Sequence, residues 1–322
     1  MNKFILITLL ALTFCLEKSE KYAFLQFQRF LNKYNKKYNT VEEYLLRYDV
    51  FKKNLNKFRQ NKASYKMGIN QFTDLTPTEF RKRYLNLDMK LLNKINYKKV
   101  SVNSNGAPDS WNWIDQGVLG PIKDQGYCGS CWAFSTMGNI EALNTMKTKE
   151  YIALSEQQLV DCDTEYDMGC DGGLMEYAFQ YLIDNGCMSQ EDYPYVGYDD
   201  TCKYDKDKVV VRIKDWKMLE TQDEGEIKEF LYDNGPLAIA INADPFQYYT
   251  EGIIDEDEWS CDPEGLNHGV VLVGYGSENG VDFWIIRNSW GDYWGEQGYC
   301  RVARGKGTCG VNTYVTTAVL AD

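Results

Sequence analysis

The sequence predicts an α+β protein of two subdomains with a cleft between them, preceded by a separate helical domain. Three observations carry this. Charge divides the 322-residue chain sharply: residues 17–106 hold 20 Lys and Arg against 8 Asp and Glu, and residues 107–322 hold 14 against 39. Cysteine divides it in the same place, with none in 17–106 and nine of the ten beyond. Hydrophobic spacing is helical in the early part and shortens to strand-like runs later. The net charge of −12 argues against a nucleic-acid binder, which needs a basic face. The single histidine excludes sites built on two imidazoles, such as Cys2His2 fingers and HExxH metalloproteases. Any imidazole acid–base chemistry therefore falls on His268.

Each element follows in order. Met1–Leu16 begins with Lys3 and continues as an apolar run from Phe4 to Leu16. That run is too short for a bilayer, which needs about 20 residues, and it reads as a secretory signal peptide. No later segment has spanning length, so no stable membrane anchor is expected, and the secretory route favours disulfides. Removing Cys15 leaves nine cysteines, an odd number, so at least one is free or pairs with another chain. No Asn-x-Ser/Thr sequon is present. In residues 17–106, Phe24, Phe27, Leu31 and Tyr34 share a helix face, and Tyr44, Tyr48, Phe51, Leu55 and Phe58 share another. Thr40 and Glu43 form a capping-box pattern before the second helix. The stretch Asn103–Pro108 has linker composition. Beyond it, helices are expected over Cys131–Met146, Glu156–Val160 after Ser155, and Leu174–Asn185 ending at Gly186. Strands are expected over Leu237–Ile241, Val270–Val273, Phe283–Arg287, Tyr299–Val302 and Val315–Val319.

The chemistry concentrates around Gln125-Gly126-Tyr127-Cys128-Gly129-Ser130-Cys131-Trp132. Two glycines make a turn, and Cys131 opens a helix whose N-terminal N–H groups favour a thiolate. An ordinary thiol titrates near 8.5, so reactivity in mild acid requires a drop of about three units, roughly 4 kcal/mol. A helix dipole supplies about a quarter of that. An imidazolium must supply much of the rest, and His268 is the only candidate. Asn288, in Arg287-Asn288-Ser289-Trp290-Gly291, can accept the ring N–H and orient it. Two other readings of Cys128-x-x-Cys131 remain: a redox pair, in which the two sulfurs bond each other, and half a zinc site, although no second Cys-x-x-Cys exists.

With these residues in place, the chain resembles a papain-like cysteine protease precursor of the cathepsin L-like group, over nearly its whole length. Cys-Gly-Ser-Cys-Trp with distant His and Asn is a known signature of that family. Glu43-x3-Arg47-x3-Phe51-x2-Asn54 resembles the interspersed propeptide motif, whose later Ile and Asn are replaced here by Phe58 and Lys62. Gly68-x-Asn70-x-Phe72-x-Asp74 matches the second propeptide motif. The resemblance implies a papain-like fold, a helical half and a β-barrel-like half, and three segments: signal peptide 1–16, inhibitory propeptide 17–106 and catalytic domain 107–322. It implies that Cys131 is the nucleophile, His268 the acid/base and Asn288 its orienter, with Trp290 shielding their hydrogen bond. Gln125 and the Cys131 N–H would form the oxyanion hole. Gly172 and Gly173 would bind substrate backbone, and Leu174, Met175, Ala240, Leu266, Gly269 and Tyr314 would line a pocket for a hydrophobic P2 residue. Tyr314, where relatives often carry a smaller residue, would shorten that pocket.

Family pairing implies disulfides Cys128–Cys170, Cys162–Cys202 and Cys261–Cys309. Parity then suggests a fourth between Cys187 and Cys300, with two buried thiols as the alternative. The implied activity is a secreted or lysosomal/vacuolar endopeptidase made as a zymogen. It would be a monomer without metal or cofactor. Its partners would be peptide and protein substrates, its own propeptide as intramolecular inhibitor, and cystatin-like inhibitors. An inactive peptide-binding homologue is the alternative, but Cys, His and Asn are all present. The +12 and −25 halves should attract, and acid should weaken that attraction.

Overall fold

The computed structural model describes residues 3–87, 89, 99–102, 106–256 and 261–322, with the side chains of residues 3–17 and Lys99 outside the description. No side chain of the expected signal peptide Met1–Leu16 is described, and residues 103–105 of the expected linker Asn103–Pro108 lie outside the described residues. No described helix is long and apolar enough to cross a membrane.

Helices α1 (Lys3–Lys33) and α2 (Val41–Arg59) pack through Ala23, Phe27, Phe30, Phe51 and Leu55. Thr40 caps α2 by accepting the Glu43 N–H at 3.1 Å, while the Glu43 carboxylate accepts from Asn39 rather than from Thr40. The reciprocal box forms instead at α3 (Pro77–Tyr84), between Thr76 and Glu79. The propeptide-like motifs lock this unit together. Arg47 donates to Glu79 and to the Asp74 carbonyl, Asn54 donates to the carbonyls of Thr73 and Leu75, and Asp74 accepts from Lys36 and Tyr38.

Strand β1 (Lys66–Met67) leaves this unit to pair with residues 249–251. Further strands are β2 (Lys99–Val100), β3 (Trp111–Asn112), β4 (Cys187–Met188), β5 (Val209–Val211), β6 (Ile213–Leu219), β7 (Leu237–Ile241), β8 (Tyr249–Glu251), β9 (Ile253–Ile254), β10 (His268–Glu278), β11 (Val281–Arg287), β12 (Tyr299–Ala303) and β13 (Val315–Leu320). A nine-stranded sheet runs β2-β6-β13-β7-β10-β11-β12-β9, with β3 on β10. Interleaved with them are α4 (Cys131–Thr148), α5 (Glu156–Cys162), α6 (Met175–Asn185) and α7 (Glu224–Asn234). Every residue of α4 from Cys131 to Ala142 is buried, so this helix has no solvent face there and runs through the centre of the molecule.

Two cores flank α4. One joins the strands through Leu237, Ile239, Leu272, Trp284 and Ile286, and it takes in Phe72, Leu75, Phe80 and Tyr84 from the N-terminal region. The other joins α4, α5 and α6 through Trp132, Ile140, Leu159 and Phe179, and it takes in Leu87. The N-terminal region thus completes both cores.

Disulfides join Cys128 to Cys170, Cys162 to Cys202 and Cys261 to Cys309. The expected Cys187–Cys300 bridge is absent: both thiols are free and buried. Cys187 on β4 belongs to the helical core and Cys300 on β12 to the β core. Residue parity carries no information on proximity, and these two sulfurs belong to different cores.

Candidate active site

The loop Gln125–Ser130 delivers Cys131 to the first position of α4. Ser130 occupies the N-cap position and makes no side-chain cap; its carbonyl accepts the Ala133 and Phe134 N–H groups, and the Cys131 and Trp132 N–H groups are turned to the sulfur. His268 opens β10, and Asn288 follows the end of β11. These strands pair antiparallel with Val271 opposite Arg287, so Asn288–Trp290 returns alongside His268.

His268 Nε2 and Asn288 Oδ1 lie 2.8 Å apart. The Ser289 backbone N–H also donates to Asn288 Oδ1, at 2.8 Å, which identifies that atom as the oxygen. Nε2 therefore carries the ring proton, and Nδ1 is the free base; it is buried without a hydrogen-bond partner among the described residues. The Trp290 ring stacks on His268 at 4.7 Å between centroids. Gly269 abuts the nucleophile: a Cβ there would lie 3.1 Å from the Cys131 carbonyl oxygen.

Gln125 is held at every polar atom. Its N–H donates to Ser289 O at 2.9 Å, and Nε2 donates to Cys128 O at 2.9 Å. Oε1 accepts from Ser289 Oγ at 2.8 Å and from Trp290 Nε1 at 3.1 Å. Because the indole N–H can only donate, the amide orientation is fixed, and Nε2 has a second N–H beyond its bond to Cys128.

The cleft is filled by the chain's own residues 86 and 87. The Leu87 N–H donates to Asn267 O at 3.2 Å, and Leu87 makes a parallel bridge with Gly173. Its side chain joins the cluster that contains Leu174, Met175, Ala240, Leu266 and Tyr314, while Gly269 packs against Met175. The Asn86 N–H points at the Cys131 sulfur. Gly172, at φ +125°, must lack a side chain, because a Cβ would overlap the Asn86 carbonyl oxygen. Above Trp290, Phe72, Phe80 and Tyr84 stack edge-on at 5.2, 5.3 and 6.2 Å, and Gln71 Nε2 donates to the Trp290 carbonyl at 2.7 Å.

Burial sets the protonation of the pair. It pushes the Cys131 thiol up to about 11, against donation from the Gly269, Asn86, Trp132 and Cys131 N–H groups. Burial likewise lowers His268 to about 4, although the Asn288 hydrogen bond favours the charged ring. Burial thus disfavours the charged form of both groups while the cleft is filled.

Residues 86 and 87, Ser289 and Tyr195 escaped sequence reasoning. Only Ser289 lies in a motif read from the sequence, Arg287–Gly291, which assigns it no role. Leu87 gives no distinct signal, because Leu85, Met89, Leu91 and Leu92 lie close by in the sequence.

The arrangement defines a thiol–imidazole hydrolase centre closed by its own N-terminal region. A model described as papain family cysteine protease matches residues 107–319, and one described as cathepsin propeptide inhibitor domain (I29) matches residues 27–80. The chain belongs to the papain family of cysteine proteases, and it is a cathepsin L-like zymogen carrying a propeptide inhibitor domain. It is 42% identical over 316 residues to cysteine proteinase 15A of Pisum sativum, covering 92% of this chain and 86% of that protein. It is 40% identical over 326 residues to the viral cathepsin of Heliothis zea nuclear polyhedrosis virus, covering 95% and 86%. Among solved structures, digestive procathepsin L2 proteinase from Tenebrio molitor larval midgut superposes with TM-score 0.85 at 35% identity, covering 92% of this chain and all of that one.

Proposed function

We propose that Cys131, His268, Asn288 and Gln125 carry out peptide-bond hydrolysis through a thioester, and that this chemistry becomes available when residues 86 and 87 leave the cleft. The observation that carries the reading is the fixed proton on His268 Nε2. It leaves Nδ1 to take the Cys131 proton, and Asn288 holds the ring in that tautomer. Opening the cleft returns water to both groups and removes the burial that disfavours their charged forms. The sulfur then attacks a peptide carbonyl carbon. The oxyanion is met by the second Gln125 Nε2–H and the Cys131 N–H, each such donor being worth about 10²–10³ in rate. His268 Nδ1–H protonates the departing amine, then activates the water that cleaves the thioester.

The N-terminal region inhibits by presenting the wrong group. The sulfur faces the Asn86 N–H, a donor, rather than a carbonyl carbon. Segments 1–16, 17–106 and 107–322 are then the targeting peptide, the inhibitor and the mature enzyme, and disulfides suit a secretory, vacuolar or extracellular destination. Acid release has two sources. Within the inhibitor, burial raises Glu79, but hydrogen bonds from Thr76 and Arg47 outweigh it and hold the carboxyl below its usual value. A depressed carboxyl stabilises its fold above that range, and the contribution is lost as pH falls through it. Across the seam, Lys66 pairs with Glu251 and Arg81 with Asp244, all on the surface, where salt and protonation weaken them.

The P2 pocket favours an aliphatic side chain such as Leu or Val, as Leu87 in that cluster indicates. The test is to incubate the zymogen in mild acid and assay peptide hydrolysis with and without an epoxysuccinyl alkylator, alongside Cys131→Ala. Processing and epoxide-sensitive hydrolysis by the wild type alone are expected. Hydrolysis by Cys131→Ala would overturn the assignment.

A further inference from the structure

The loop Gln125–Cys131 carries both proposed oxyanion donors, one at each end. Their separation matters because both must meet one oxygen. The middle of the loop is anchored by the Cys128–Cys170 bond and by Gly129 N–H donating to Cys170 O at 2.9 Å. Its two ends meet a single atom from outside the loop, the Tyr195 hydroxyl.

Tyr195 Oη lies 2.8 Å from the Gln125 carbonyl oxygen and 2.7 Å from Ser130 Oγ. A carbonyl only accepts, so the single phenolic hydrogen goes to Gln125, and Ser130 must donate to Tyr195. Ser130 thereby forgoes a role it is placed to fill. A serine at an N-cap usually accepts an N–H from the first turn, and losing that bond costs about 1 kcal/mol. Here the hydroxyl turns to Tyr195, and the first-turn N–H groups of α4 are left to the Ser130 carbonyl and to the Cys131 sulfur. Burial raises the Tyr195 phenol far above its usual range, so it remains a donor at every working pH.

The residue is itself held rigidly. Its ring sits edge-on to Phe134 at 4.9 Å, and the next two N–H groups, of Val196 and Gly197, both donate to Gln157 Oε1 on α5. Gln125 meanwhile is tied to the β half through Ser289. The oxyanion loop is therefore strapped from both sides of the cleft.

We propose that Tyr195 is a positioning residue for peptide hydrolysis: its hydroxyl, bridging Ser130 and the Gln125 carbonyl, sets the spacing of the two oxyanion donors. It touches neither substrate nor sulfur. This rests on the reading of Cys131 and Gln125 given above.

Tyr195→Phe keeps the ring and its Phe134 contact and removes only the bridge. In the acid-processed enzyme, kcat for a peptide amide should fall roughly tenfold to a hundredfold, less than deletion of a donor but in the range for a displaced one. KM should change little. Binding of a peptide aldehyde, whose hemithioacetal oxygen occupies the oxyanion position, should weaken in the same proportion. Alkylation of Cys131 by iodoacetamide needs no oxyanion donors, so its rate and pH profile should match wild type. Ser130→Ala, which leaves the Tyr195–Gln125 bond, should give a smaller loss of the same pattern, and it serves if Tyr195→Phe does not mature. In a Gln125→Ala background, Tyr195→Phe should add little. The proposal is overturned if the variants keep wild-type kcat and aldehyde affinity, if alkylation falls in step with kcat, or if the Gln125 and Tyr195 losses simply add. An active wild type beside an equally active Tyr195→Phe overturns the positioning role alone. A wild type that does not hydrolyse peptides overturns the reading beneath it.

Discussion

Leu87→Ala in the full-length zymogen isolates the apolar part of autoinhibition. Leu87 is 7% exposed and packs within the cluster containing Leu174, Met175, Leu266 and Tyr314. The substitution removes three carbons at about 0.8 kcal/mol each, or about 2.4 kcal/mol. A pocket that opens to water on release is rehydrated rather than left as a void, so the transfer contribution alone applies. At 1.4 kcal/mol per tenfold, the open population should rise about 50-fold. The assay is the rate at which iodoacetamide alkylates Cys131 in the zymogen at neutral pH. While opening and closing are fast, that rate follows the open population. Leu45→Ala, at a 57% exposed position on α2, is the control and should leave the rate unchanged. An alkylation rate in Leu87→Ala equal to wild type would refute the claim that this side chain holds the cleft shut.

Other outcomes follow from the same geometry. Glu176 is fully buried with neither carboxylate oxygen bonded among the described residues, and burial pushes it up to about 8. The folded state then keeps a proton that the unfolded chain releases near pH 4.3. Stability from this group is complete below about pH 4.3 and falls by about 1.4 kcal/mol per pH unit from there up to about 8, where the loss is complete. Glu176→Gln should remove that dependence, so the gap between the melting temperatures of variant and wild type should widen from mild acid to neutral pH; a constant gap would contradict it. Tyr314→Ala should deepen the P2 pocket and raise kcat/KM for Phe-Arg substrates relative to Leu-Arg and Val-Arg, and an unchanged ratio on a peptide panel would place Tyr314 away from the substrate.

Much of this was legible in the sequence for local reasons. The start of α4 at Cys131 follows from the Gly126 and Gly129 turn and the apolar run behind it. The strands around His268 and Arg287 follow from short apolar runs, and their antiparallel pairing brings Asn288 to the imidazole. Other features depend on contacts between distant segments that no periodicity encodes. Leu87 is one of several leucines in a stretch without a motif, and only the folded cleft shows what it covers. Tyr195 reaches Gln125 across 70 residues. Cys187 and Cys300 look like a pair by count, yet each is committed to a different core. The burial that disfavours charge on Cys131 and His268 is equally a property of the closed fold, since it comes from residues far away in the chain.

The central claim is that His268 makes Cys131 a nucleophile once the cleft opens. The most direct measurement is the pH dependence of Cys131 alkylation in acid-processed enzyme, for wild type and for His268→Ala matured by a trace of wild type. The wild type should stay reactive well into acid, whereas the variant should gain reactivity only as an ordinary thiol ionises near pH 8.5. Two superimposable profiles, both rising near that pH, would contradict the account.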